Sequence, residues 1–432
     1  MKACGGWKGL LWILLLGYTA AHLGYSIVQY NIFSGVSSGD FERAYSDAQQ
    51  WKLSAETTGF SFAHPVFYNL LLVELGRLLG GVRNVSYFFY FLQFVLFPAA
   101  LFFIVRAVSG CRTRWQDYGF AAVLAFNFTP FLETLAQHKV EGIEFFMICL
   151  ALYLFSRRRD FWAGAAIFAG AALKYLPGVL AVYFLLKRES KVALGFLIAA
   201  LLSIGGVVFA AGIQKTLAIV FRYSVDTLLW YNLKTDYVVA NLGWQTLSGT
   251  VNRWFSEPPP GATFFHCLQF DLEMAVPKTQ LAYWIALAIK APICLGYLSL
   301  IRRRWERGRD WSLVLLEISL TLLMLAVVIS IIRPQYGILY LPAFLITGLL
   351  LFRKGPLFRL REKVLFGLAY SLSGMLIPGG LLNKLPPHPV WQHEYARMYL
   401  WFSFPFYGFM LLGLCIVLCH RRFRLNPSPA AP

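Results

Sequence analysis

The chain has 432 residues, 58% of them hydrophobic and 14% charged, with a mean hydropathy of +0.59. Soluble domains are about a quarter charged and just under half apolar, so this composition excludes a soluble globular protein and reads as an all-α polytopic membrane protein. The net charge of +18 would suggest nucleic acid in a soluble chain, but here the Lys and Arg residues fall in clusters between apolar stretches. Membrane sidedness accounts for them, and no nucleic-acid partner is implied.

Residues 9–29 are long and apolar enough for a first, uncleaved span with the amino terminus in the cytoplasm. The loop that follows, within 30–83, is then outside. In it, residues 40–52 as a helix place Phe41, Ala44, Tyr45, Ala48 and Trp51 on one apolar stripe, as for a helix lying in the membrane interface. Asp40 opens that helix, where Asp is a favoured N-cap; Asp47 lies two turns on. Residues 65–79 are short and hold Glu74 and Arg77, so they are read as interfacial or partly embedded.

Spans follow near 84–107, 118–136 and 142–156. Residues 161–186 lie between the basic groups Arg157–Arg159 and Lys187–Lys191, and a single helix would put those groups on opposite faces. Two short helices meeting at Lys174-Tyr175-Leu176-Pro177-Gly178 keep both inside. Each has about 12 residues, roughly 18 Å long, too short for a full bilayer unless the site is recessed.

Later spans fall near 191–212, 279–301, 311–332, 336–352, 364–382 and 399–419, giving about twelve with both termini cytoplasmic. A long outer loop, 213–278, is rich in Trp and Tyr, which argues for order. Residues 425–432 form a flexible tail. The whole chain, 1–432, is one polytopic membrane domain without an internal repeat. Its seven cysteines are scattered, so no disulfide framework is expected, and Cys415, Cys419 and His420 read as helix-end packing.

Three stretches resemble glycosyltransferase family 87. The first is Gly39-Asp40-Phe41 with Tyr45 and Ala48, leading to Phe60-Ser61-Phe62-Ala63-His64-Pro65. The second is Trp162-Ala163-Gly164 through Ala172-Leu173-Lys174-Tyr175-Leu176-Pro177, and the third is Arg333-Pro334-Gln335-Tyr336 to Tyr340-Leu341-Pro342. Two departures stand out: His138-Lys139-Val140-Glu141 replaces the family's frequent Gly-Gln-x-Asn, and Gln335-Tyr336 replaces a His pair.

The resemblance implies a GT-C-like bundle with interfacial helices in the outer first loop. It also implies an inverting hexosyltransferase, specifically mannosyltransferase-like, of the cell inner (plasma) membrane. The donor would be a polyprenyl-phosphate sugar and the acceptor lipid-linked or glycan, on the extracytoplasmic face. Asp40 is then the general base, with Asp47 in reserve.

Lys174, Arg333, His138 and Lys139 are the candidates for the donor phosphate, because charges at that depth are costly unless used. Lys174 also reads as a lysine snorkelling from a helix end. Glu141 and Glu144 are candidate salt-bridge partners of His138 and Lys139. His64, Gln335 and Tyr336 are candidate substrate contacts; His388 and His393 are given no role. No acidic pair has metal-ligand spacing, so no obligatory metal or other cofactor is expected. The alternative readings are a transporter or flippase of lipid-linked saccharides, which would show paired broken helices in matching halves, and an inactive assembly partner on the same scaffold.

Overall fold

The computed structural model of the chain describes residues 4–29, 39–53, 65–110, 113–136, 140–222, 237–239, 246–255, 275–277, 280–303, 311–329, 334–374 and 403–425. The described elements are helical except for one pair of three-residue strands.

In chain order they are α1 (Cys4–Gln29), α2 (Gly39–Leu53), α3 (Val66–Leu79), α4 (Val82–Ser109), α5 (Trp115–Phe126), α6 (Thr129–Ala136), α7 (Glu141–Ser156) and α8 (Asp160–Leu173). A 3₁₀ turn (Leu176–Gly178) leads to α9 (Val179–Leu186), α10 (Ser190–Ala211) and α11 (Ile213–Arg222). Strand β1 (Tyr237–Val239), α12 (Leu247–Phe255) and β2 (Ala275–Pro277) follow, then α13 (Gln280–Ile301) and α14 (Trp311–Val328). A 3₁₀ helix (Pro334–Tyr340), α15 (Leu341–Arg353), α16 (Leu360–Gly374) and α17 (Phe404–Leu425) complete the described chain.

Among the described residues six helices are long and apolar enough to cross a membrane: Val82–Ser109, Ser190–Ala211, Leu281–Ile301, Trp311–Val328, Tyr336–Arg353 and Phe404–Leu425. The sequence expectation was about twelve. Part of the difference is that the span expected at 118–136 is two pieces, α5 and α6, broken at Asn127. The Asn127 side chain donates to Thr19 Oγ1 of α1 at 2.7 Å and to Val123 O at 2.9 Å, and Pro130 lies at the start of α6, where its missing N–H does no harm.

The expected interruption of 161–186 is observed. α8 ends at Leu173 and Lys174 leaves the helical region, with φ −158° and ψ 134°. Pro177 in the next turn packs on Gly170, a position where an added Cβ would sit 3.2 Å from the ring. Trp311–Val328 and Tyr336–Arg353 are mostly buried at the centre, whereas Ser190–Ala211 and Leu281–Ile301 turn most of their apolar side chains outward, as lipid-facing helices do.

The basic clusters gather at one end of this bundle. Lys187 Nζ donates to Arg303 O at 2.8 Å, Arg424 to Leu300 O at 3.0 Å, and Trp311 Nε1 to Ala107 O at 2.7 Å. Arg353 pairs with Asp117 at 2.7 Å. The first turns of α8 and α10 touch backbone to backbone: Gly164 lies against Val192 O and Gly195 against Phe161 O, with no room for a Cβ at either. The groups around Arg157–Arg159 and Lys187–Lys191 are therefore side by side, as the sidedness argument requires.

One expectation is corrected. The described part of the α2 stripe is covered by protein rather than lipid: Phe41, Ala44 and Ala48 are buried in a cluster with Tyr68, Leu72 and Val73 of α3 and Val85 and Phe89 of α4. Tyr45 occupies the space left by the absent side chain of Gly76 on α3. Apolar area is hidden from water equally well by protein, at about 25 cal/mol per Å², so the periodicity did not say which partner would cover it. The all-α expectation holds for the described residues, which add only a short antiparallel β1–β2 pair in the long loop, Tyr237 opposite Pro277 and Val239 opposite Ala275; Val238 and Val239 are good strand formers.

Candidate active site

At the end of the bundle away from the basic clusters, the first turn of α7 brings Glu141 and Glu144 to one helix face, three residues apart. Carboxylates are favoured in a first helical turn by the exposed N–H groups and the helix dipole. Both are fully buried, which for acids demands a partner.

Glu141 finds one from α8, where Lys174 Nζ donates to Oε1 at 2.8 Å. Lys174 reaches it because the chain turns extended at that residue just ahead of Pro177. The same ammonium stands 4.0 Å from the centroid of the Tyr336 ring, a cation–π contact. The Lys174 side chain keeps 10% of its surface exposed and Glu141 none.

Glu144 differs from its neighbour. Neither Oε1 nor Oε2 has a hydrogen-bond partner, although the carboxyl lies close enough to act electrostatically on Lys174, Tyr68 and Tyr175. Gln93 of α4 is also buried, with Nε2 donating to Phe89 O at 3.3 Å and Oε1 unpartnered. That oxygen rests on Gly142, on the face of α7 turned away from Glu144, where a Cβ would collide with it.

The helix that carries Asp40 is anchored to this cluster. The apolar core that buries Phe41, Ala44 and Ala48 also contains Val140, Ile143 and Leu173, which flank Glu141, Glu144 and Lys174 in sequence. Asp40 is in the first turn of α2, and its side chain lies outside the described residues. Asp47 is partly buried on the same helix; desolvation raises its carboxyl above the usual range and Arg43 opposes that shift.

Of the other sequence candidates, Lys174 and Tyr336 are brought together. Gln335 has its backbone in the 3₁₀ helix but its side chain outside the described residues, as His64, His138, Lys139 and Arg333 are altogether. Among the described residues no group of three His, Cys, Asp or Glu is placed to hold a metal.

The sequence reading offered Glu141 and Glu144 to His138 and Lys139, and so missed the pairing of Glu141 with Lys174. The available signal was an acidic pair opening an apolar helix that has no other charge until Arg157, since ionisable groups at membrane depth are costly and therefore partnered or functional.

The family model of glycosyltransferase family 87 matches residues 62–269, just under half of the chain. The match contains Tyr68, Glu141, Glu144, Lys174 and Tyr175; it begins after Asp40 and ends before Tyr336. No curated protein and no solved structure gives a significant match. The resemblance seen in the sequence is thus met by the family model over this stretch, and what the match and the apolar helices support is a multi-pass membrane glycosyltransferase.

Proposed function

We propose that the protein transfers a hexose, mannose-like, from a polyprenyl-phosphate donor to a lipid-linked or glycan acceptor, with inversion, at the extracytoplasmic face of the cell inner membrane. The basic end of the bundle is then cytoplasmic, by the positive-inside rule, and the Glu141–Lys174 end is extracytoplasmic. The observation that carries this reading is the seating of α2, the Asp40 helix, in the same apolar core as the residues flanking Lys174, Glu141 and Glu144.

In the reaction the acceptor hydroxyl oxygen attacks the anomeric carbon and its proton passes to the Asp40 carboxylate. The bond from that carbon to the phosphate oxygen breaks, and its electron pair leaves with the lipid phosphate. A phosphate monoester departs without prior protonation, so one base and cationic stabilisation suffice; a glycoside hydrolase, whose leaving group is an alkoxide, needs a second carboxyl as acid. Lys174 has three N–H donors and spends one on Glu141. The others, with Arg333, His138 and Lys139, are the proposed donors to the departing phosphate.

The test is Asp40→Asn in the full chain reconstituted in lipid, supplied with labelled polyprenyl-phosphate hexose and acceptor. Loss of a general base predicts turnover lower by about 10²–10⁴-fold with donor binding kept. Undiminished turnover would remove Asp40 from the reaction.

A further inference from the structure

Buried polar groups in folded proteins are almost always hydrogen-bonded, and Glu144 departs from that rule. Its Oε1 and Oε2 are both buried without a hydrogen-bond partner. The residue is fully buried and shares the first turn of α7 with Glu141. The one cation described nearby, Lys174, spends one of its three N–H donors on Glu141, and no donor reaches the Glu144 carboxyl. An anion does not fit against that carboxyl; a neutral ligand rich in O–H groups does, because a hydroxyl can donate to it. The half-buried rings of Tyr175 and Tyr336 add apolar faces of the kind that sugar C–H surfaces cover.

We propose that Glu144, beside the Glu141–Lys174 pair, is the subsite that reads hydroxyl groups of the donor hexose. This rests on the transferase reading above and deepens it, by giving the choice of sugar to Glu144 while Lys174 serves the phosphate. A site built to hydrogen-bond a hydroxyl discriminates strongly against a ligand lacking it, because its own buried acceptors are then left unpaired.

The experiment uses the full chain in lipid nanodiscs and measures binding, without acceptor, of polyprenyl-phosphate hexoses, their monodeoxy analogues and sugar-free polyprenyl phosphate, alongside transfer to acceptor. Wild type is expected to prefer the parent donor over one monodeoxy analogue by about 100-fold or more. Glu144→Leu should bring that ratio close to one and leave sugar-free polyprenyl phosphate binding unchanged; Glu144→Gln should retain part of the preference. Thermal unfolding of both variants should match or exceed wild type, since each removes an unpartnered buried acid.

A Glu144→Leu protein that still discriminates among the hydroxyls overturns the subsite, as does one that loses sugar-free polyprenyl phosphate as strongly as the hexose donor. In both cases wild-type transfer leaves the transferase reading intact. A wild type that neither binds nor transfers any of these donors removes the reading and the subsite together.

Discussion

Two of the buried acids among the described residues, Glu317 and Glu144, lie at opposite ends of the bundle and are satisfied to opposite degrees. At the basic end, Glu317 of α14 has both oxygens engaged. Oε2 accepts from Lys187 Nζ at 2.6 Å and from Tyr183 OH at 2.9 Å, and Oε1 faces His420 Nε2 at 3.4 Å. This network ties α9, α14 and α17 together. At the other end Glu141 is paired with Lys174 while Glu144, one turn on, has no hydrogen bond. A satisfied network rigidifies the structure around it, whereas a partly satisfied one is costly unless something else completes it. On the reading proposed above, the contrast separates a charge cluster used to join helices from one kept for a ligand.

The largest test of that contrast is Glu317→Ala. It leaves the Lys187 ammonium, whose side chain is 3% exposed, with Arg303 O but no counter-charge, and breaking one partner of a buried ion pair costs about 3–5 kcal/mol. Chemical or thermal unfolding in detergent should register that loss, while Glu144→Gln should cost nothing measurable. Equal losses at the two ends would erase the distinction.

Next is Gly195→Ala, which forces a methyl against Phe161 O where α8 and α10 meet backbone to backbone. Overpacking of this kind costs about 1–3 kcal/mol. Because α8 carries Lys174 at its far end, donor binding should weaken along with stability; a variant of unchanged unfolding temperature would show that the helices part without harm.

Tyr183→Phe removes a single hydrogen bond to the Glu317 carboxylate, for which the expectation is about 1.5–3 kcal/mol, less than Glu317→Ala because the Lys187 contact remains. A loss as large as that of Glu317→Ala would mean the hydroxyl, not the ammonium, holds the network.

The smallest effect belongs to Asp47. Burial raises its carboxyl above the usual range, so the folded state favours the protonated form and the ionised one detracts from stability as pH rises through that range. Asp47→Asn should give a slight rise in unfolding temperature at neutral pH, vanishing in acid where Asp47 is itself protonated. A fall at neutral pH would assign the charge a positive role, with Arg43 its first candidate partner.

Much of the helical layout was legible in the residues. α4 and α7 lie within a few residues of their expected bounds, because long apolar runs flanked by charge leave few alternatives. The break after Leu173 was legible too, since Pro177 cannot continue a helix. The break at Asn127 was half legible. Pro130 was a stop signal in plain sight, but the contact that holds the kink, Asn127 to Thr19, spans 108 residues. The α2 stripe was recognised as apolar and assigned to lipid, because the period of a helix states which face is buried and not what buries it.

What the sequence determined by itself is the solvent of this protein, the gathering of its basic clusters at one end and the place where α8 must end, all consequences of local composition and backbone stereochemistry. Only the tertiary structure decided which acid each buried lysine meets. Lys174 lies 33 residues from Glu141, and Lys187 130 residues from Glu317. A desolvated charge pairs with whichever counter-charge packing brings within about 4 Å, because attraction repays desolvation only at such contact. The same packing left Glu144 without a hydrogen-bond partner, which no spacing along the chain could have announced.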